Sequence, residues 1–80
     1  LTGADLRYSN LKRAKLSGAN LSRAKLNHAN LPGADLTNCN LAHADLTGAN
    51  LLLADLSGAD MTGINLTNAY TENTKGLRNK

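Results

Sequence analysis

Cys39, His28 and His43 are the side chains of this sequence best suited to act as a nucleophile, a base or a metal ligand. The two histidines occupy the same position of the five-residue repeat described below. In the folded chain they would lie on neighbouring sides and not together, so we expect no metal site. Cys39 stands where most repeats have an inward alanine, and we interpret it as a small core residue. No Ser/His/Asp or Cys/His arrangement, phosphate-binding loop or carboxylate pair in a pocket accompanies these residues. We therefore predict that the protein is not an enzyme and binds no cofactor or metal.

A five-residue repeat runs along the chain and must position every one of these side chains. Every fifth residue from Leu1 to Leu66 is leucine, except Met61. Alanine stands two positions before most of the later leucines, and Asp, Asn or occasionally Lys lies between the two. The alanine series continues at Ala69 and is interrupted at three positions, Ser9, Cys39 and Ile64. The motif A-(D/N)-L-x-x recurs about fourteen times.

A period of five fits neither regular element. Five residues advance an α-helix by about 500°, so the leucines would drift around it. On a flat strand an odd spacing sends successive leucines to opposite faces. A chain that turns a corner every five residues directs each leucine into one interior. The second residue after the leucine agrees with a turn, since these types accept a positive φ: Gly3, Gly18, Gly33, Gly48, Gly58, Gly63, Asn38, Asn68, His28 and His43.

Four stretches carry a resemblance to a known family: Ala4-Asp5-Leu6, Ala19-Asn20-Leu21, Ala34-Asp35-Leu36 and Ala49-Asn50-Leu51. They resemble the signature of the pentapeptide-repeat family. The resemblance implies an all-β fold, a right-handed quadrilateral β-helix solenoid with four repeats per coil and the leucines and alanines inside. It covers residues 1–70, which would form about three and a half coils.

The end of the chain departs from the pattern. Thr71 takes a leucine position, and we predict that residues 71–80 form a short C-terminal cap or a flexible tail. At the other end the chain starts partway through a repeat and without Met, as expected of an excised or processed segment. The longest apolar run, Leu51 to Ala54, has four residues, so we expect no contact with a membrane. A cytoplasmic location is the default expectation.

The net charge of +3 is unevenly distributed. A candidate basic patch lies in the first two coils: Arg7, Lys12, Arg13, Lys15, Arg23 and Lys25. Clustered cations could bind phosphates weakly, which makes nucleic-acid binding one alternative function. Placed on four sides, however, these cations separate, and Tyr8 is the one aromatic residue available among them for stacking on bases. We favour a solvated surface, with columns such as Asp5, Lys25 and Asp45 stabilising neighbouring coils.

An apolar anomaly points to a protein partner. Leu52 and Leu53 occupy outward positions that are polar or Gly in most other repeats, Pro32 lies one coil below, and Tyr70 is close by. An exposed apolar patch of this kind marks a contact site, unless the C-terminal tail covers it. We predict a structural or protein-interaction module of unknown partner. Self-association through an open end or through the Leu52/Leu53 side is possible.

The resemblance also suggests inhibition of a type II topoisomerase by mimicry of duplex DNA. The relatives with that activity look like long, strongly acidic rods. This chain has 80 residues and a net charge of +3, and both departures count against this alternative.

Overall fold

The structure, a computed structural model, describes residues 1–77. Within that range there is no helix, and the β-structure consists of single-residue parallel bridges instead of long strands. Each bridge joins residues twenty positions apart, in a regular series from Asp5 with Lys25 to Asp55 with Lys75. Twenty residues are four repeats of five, so the prediction of four repeats per coil is confirmed.

Backbone hydrogen bonds run from coil to coil at three positions of the repeat. Leu6 N–H donates to the Lys25 carbonyl at 2.8 Å, and Lys25 N–H donates back to the Ala4 carbonyl at 2.8 Å. The third bond joins turn to turn, as from Tyr8 N–H to the Asn27 carbonyl at 3.1 Å. The polar backbone is thereby paired between coils, which makes the solenoid a stiff support for its outer side chains.

A tight turn closes each side of the coil. Ala4 N–H donates to the Leu1 carbonyl at 2.9 Å, and the same bond recurs along the chain. The third residue of every turn has a positive φ, as a type II turn requires, and this confirms the bends predicted at the Gly, Asn and His positions. Most of the Asp and Asn residues that precede a leucine support the next turn. For example, Asp45 Oδ1 accepts bonds from Thr47 N–H at 3.1 Å and Thr47 Oγ1 at 2.6 Å.

The core is a stack of leucines and alanines. All inward leucines from Leu21 to Leu56 are fully buried, with the alanines between them. Cys39 is buried in an alanine position, where its thiol donates to the Leu16 carbonyl at 2.9 Å. Burial raises the pKa of that thiol. Inward residues nearer the two ends of the solenoid, such as Leu11 and Leu66, are only partly buried.

The hydrogen-bonded ladder extends beyond residue 70. Lys75 N–H donates to the Ala54 carbonyl at 2.9 Å, and Thr74, in an alanine position, donates its hydroxyl to the Leu51 carbonyl at 2.7 Å. The ladder thus runs five residues past the predicted domain boundary. Residues 78–80, the end of the predicted cap or tail, lie outside the described residues.

Candidate functional surface

The bridging residues form four columns, one on each face of the solenoid. One column is uncharged and defines what we name the asparagine face: Asn10, Asn30, Asn50 and Tyr70. The other three columns, within residues 1–77, each include charged side chains, as in Lys15, Asp35, Asp55 and Lys75. The asparagine face therefore offers a partner a surface without a strongly hydrated ion along its centre.

Turn residues form the corners between these faces. The leucine corner follows the asparagine face and comprises residues 12–13, 32–33, 52–53 and 72–73. The aromatic corner precedes that face and comprises residues 7–8, 27–28, 47–48 and 67–68. The diagonal corner lies across the solenoid from the leucine corner and comprises residues 2–3, 22–23, 42–43 and 62–63.

The structure places the four residues of the predicted apolar patch on or beside the leucine corner. Pro32 lies one coil below Leu52, and the Gly33 N–H donates to the Leu52 carbonyl at 2.7 Å. Leu53 is 60 % exposed and Leu52 is half-buried. Tyr70, at the end of the asparagine face, is 50 % exposed. The patch as a contact site stays a prediction, but its members occupy one corner and the adjoining column.

Tyr70 is tied to an acidic neighbour. Its hydroxyl donates to Glu72 Oε1 at 2.6 Å, and this bond raises the pKa of Tyr70. Glu72 follows Leu52 by one coil on the leucine corner. The C-terminal end of the corner is therefore acidic, whereas Lys12 and Arg13 make its N-terminal end basic.

Four long side chains occupy a backbone conformation that does not suit them. Tyr8, Arg13, Arg23 and Leu53 have φ between 58° and 63°, where glycine and asparagine are the usual residues. Leu53 and Arg13 lie on the leucine corner, and Tyr8 lies on the aromatic corner. Three of the four thus border the asparagine face. Backbone strain of this kind is concentrated at functional sites, and the predictions made from the sequence did not include it.

Pro32 changes the asparagine face as well. In equivalent repeats the asparagine accepts a bond from the turn, as from Lys12 N–H to Asn10 Oδ1 at 3.1 Å and from Leu52 N–H to Asn50 Oδ1 at 3.0 Å. Pro32 has no N–H. Asn30 therefore lacks this bond, and its exposed amide can bond to a partner instead.

The predicted basic patch is divided. Lys12, Arg13 and Lys15 lie on or beside the leucine corner, whereas Arg7, Arg23 and Lys25 surround the face on the other side of the aromatic corner. Arg7 is engaged by Asp5 through two 2.8 Å bonds, and these lower the pKa of Asp5 to about 2. The patch stays a prediction, now as two groups of three.

The aromatic corner holds a ring stack that the sequence analysis missed. Tyr8 and His28 are nearly parallel, with ring centroids 5.2 Å apart and planes at 14°. A shallow depression beside them is lined by Arg7, Lys25, Asn27 and Asp45 as well. The sequence does indicate this stack, because Tyr8 and His28 are twenty residues apart and occupy the same position of the repeat.

The described residues offer little to support catalysis or metal binding. No three His, Cys, Asp or Glu side chains within residues 1–77 gather closely enough to hold a metal ion. His28 and His43 lie on different corners, and Cys39 is buried. Over the same range no helix has the length and apolar character to cross a membrane.

Comparison with known proteins gives consistent results. The profile described as "Pentapeptide repeats" matches residues 1–38 and 34–70, with eight copies. A pentapeptide repeat protein from the thylakoid lumen of Arabidopsis thaliana has a similar solved structure: 37 % identity, TM-score 0.94, and coverage of 99 % of this chain and 55 % of that one. No curated protein matches the chain.

Two cyanobacterial structures are also similar. Rfr23 from Cyanothece 51142 is 36 % identical with a TM-score of 0.74, over 99 % of this chain and 60 % of that protein. HetL, a pentapeptide repeat protein involved in heterocyst differentiation regulation from Nostoc sp. strain PCC 7120, is 39 % identical with a TM-score of 0.56. That match covers 99 % of this chain and 40 % of HetL. The chain spans about half the length of these relatives.

Proposed function

The chain belongs to the pentapeptide repeat family, and we propose that it is a non-catalytic protein-interaction module that binds another protein through the leucine corner and the asparagine face. Members of this family form right-handed four-sided β-helices. Such a solenoid fills its interior with side chains, and its outer surface is what remains for recognition.

Leu53 is the observation that carries the proposal. Its φ of 61° is a conformation that costs an L-residue roughly 1–2 kcal/mol, and glycine or asparagine would avoid most of this strain. The side chain is also largely exposed, so burial within the fold offsets the strain only in part. A strained and exposed leucine is explained if its contact is made with a partner.

Three further features support the same surface. Leu52, Pro32 and Tyr70 extend the apolar area beside Leu53, and Asn30 offers an amide that the turn does not engage. HetL is described as involved in regulation. A regulatory role through binding agrees with a rigid module that acts by its surface.

The solenoid itself is proposed to have about three and a half coils over residues 1–70, closed at its C-terminal end by residues 71–77. The Thr74 hydroxyl on the Leu51 carbonyl and the packing of Leu77 on the core support this cap. A stiff body with a closed end would hold the leucine corner in one geometry, which reduces the entropic cost of binding.

Site-specific photo-crosslinking tests the proposed function. A benzophenone side chain at position 53 is compared with one at Thr62 on the diagonal corner, in an extract of cells that produce the protein. We expect one discrete cross-linked protein at position 53 that excess wild-type chain competes away. The variant Leu52→Ser with Leu53→Ser should fold, as judged by circular dichroism, but should not compete. Equal cross-linking at both positions, or equal competition by the double variant, would contradict the proposal.

A further inference from the structure

Arg13 and Leu53 belong to the same column of the leucine corner, and their relation suggests the chemistry of the partner; this step rests on the proposed function. The two residues are forty positions apart, which is two coils of the twenty-residue register. At about 4.8 Å per coil they are separated by roughly 10 Å along the solenoid axis. Both have the strained positive φ, 58° at Arg13 and 61° at Leu53.

Gly33 lies between them and leaves a notch in the corner. A Cβ at Gly33 would meet Arg13 Cγ at 3.4 Å, so the stem of Arg13 leans over the glycine, toward Leu53. A side chain at position 33 would occupy this notch between the two residues. The gap instead lets one partner reach both groups.

The charges at the N-terminal end of this corner are available for a partner. Within residues 1–77 the single ion pair joins Arg7 to Asp5. Lys12, Arg13 and Lys15 are exposed and form none there. Glu72 lies at the other end of the corner, where it repels a carboxylate. An acidic group on the partner is therefore directed to the first coil.

We propose that the leucine corner binds an acidic, apolar protein segment, in which a carboxylate contacts Arg13 and an apolar side chain no more than about 10 Å away contacts Leu53. The apolar contact supplies affinity, and the carboxylate fixes the direction in which the segment lies. Lys12 strengthens the positive field around the carboxylate, whereas Lys15 has Asp35 one coil above it.

Two fluorescein-labelled helical peptides serve as probes. Each peptide carries a pair of leucines. Seven residues before the leucines, which is about 10 Å along the helix, one peptide has two glutamates and the other has two lysines. Binding is followed by fluorescence anisotropy with the whole 80-residue chain. We expect the glutamate peptide to bind about fivefold more tightly than the lysine peptide at low salt, and the difference to shrink as salt is added.

Charge reversal at matched arginines locates the effect. Arg13→Glu should abolish the preference for the glutamate peptide. Arg23→Glu removes an arginine with nearly the same φ from the diagonal corner, and it should leave the preference as it is. Leu53→Asn should weaken both peptides by the same factor. Circular dichroism of each variant shows that it is folded.

The outcomes separate this inference from the proposed function. If both peptides bind equally and Leu53→Asn weakens both, the interaction function stands and the acidic partner is wrong. If neither peptide binds, or if Arg23→Glu has the same effect as Arg13→Glu, the inference is also wrong. Binding to vesicles of phosphatidylserine and phosphatidylcholine, without peptide binding, would assign the corner to a membrane surface and overturn it. The cross-linking experiment decides the proposed function independently.

Discussion

Replacing Leu53 by asparagine separates stability from binding at the leucine corner. Asparagine adopts a positive φ more readily than leucine, and it occupies the same turn position at Asn38 and Asn68, with φ of 58° at both. The change removes the exposed apolar group and keeps a side chain compatible with the turn. We therefore expect the variant to fold as well as the wild type and to lose the proposed contact.

Two opposing terms determine the magnitude. Leu53 is 60 % exposed, so about two-fifths of a full leucine burial of ~2 kcal/mol is lost, which is about 0.8 kcal/mol. Relief of the strain returns roughly 1 kcal/mol. The free energy of unfolding should therefore change by less than about 0.5 kcal/mol.

Leu52 provides the matched control. It is the preceding residue, it is half-buried, and it does not have a positive φ. Leu52→Asn loses burial without any relief of strain and should destabilise the protein by about 1 kcal/mol or more. Urea unfolding followed by far-ultraviolet circular dichroism measures both variants. A loss of about 2 kcal/mol in Leu53→Asn would show that Leu53 supports the fold, and the reasoning from strain would be refuted.

Three further predictions concern the solenoid itself. Gly48→Ala should lower the midpoint of thermal unfolding more than Gly18→Ala. Both positions have a positive φ, but a Cβ at Gly48 would lie 2.5 Å from the His28 ring, whereas nothing lies within 4 Å of a Cβ at Gly18. Equal midpoints for the two variants would contradict the close approach. Hydrogen bonds hold the pKa of Asp5, Asp45, Asp55 and Asp60 below the usual range, so the stabilisation that these carboxylates give is present above about pH 4 and is lost as the pH falls through their lowered pKa values. For Asp5 the lowered pKa is about 2. Thermal melts should therefore show a constant midpoint between about pH 7 and 5 and a decline below about pH 4, and a decline that begins near pH 6 would contradict this assignment. The Cys39 thiol, with its raised pKa and 1 % exposure, should react with Ellman's reagent at the rate of unfolding, and immediate reaction in the native protein would show that the coil opens locally.

The leucine period predicts a solenoid with a corner in every repeat, because burial and turn chemistry agree at most of the repeats. Its four sides and its right hand follow from the family resemblance and not from the period. A spacing of five requires a corner, and the Gly, Asn and His positions identify where the corner lies. The backbone strain at Tyr8, Arg13 and Leu53 could have been predicted from the same repeat, because these residues are the second after a leucine, where glycine is favoured. In the sequence, Leu53 is distinguished by its apolar character alone.

Other features depend on geometry that the repeat does not encode. His28 lies over Gly48, and Arg13 lies over Gly33. Both approaches depend on the direction in which the turn points the side chain toward the next coil. The repeat formed by residues 71–75 has Thr71 and Thr74 in place of leucine and alanine, so its apolar pattern is absent. It continues the ladder through backbone bonds and the Thr74 hydroxyl, which a pattern of apolar residues does not report.

A titration of the ¹⁵N-labelled protein with the glutamate peptide tests the central claim most directly. Shifts of the backbone amide signals show which surface the ligand contacts. We predict shifts at Arg13, Gly33, Leu52 and Leu53 and at Asn30 of the asparagine face, with the signals of Arg23 and His43 on the diagonal corner unchanged. Shifts confined to the diagonal corner, or no shifts at a saturating concentration of peptide, would contradict the assignment of the leucine corner as the binding surface.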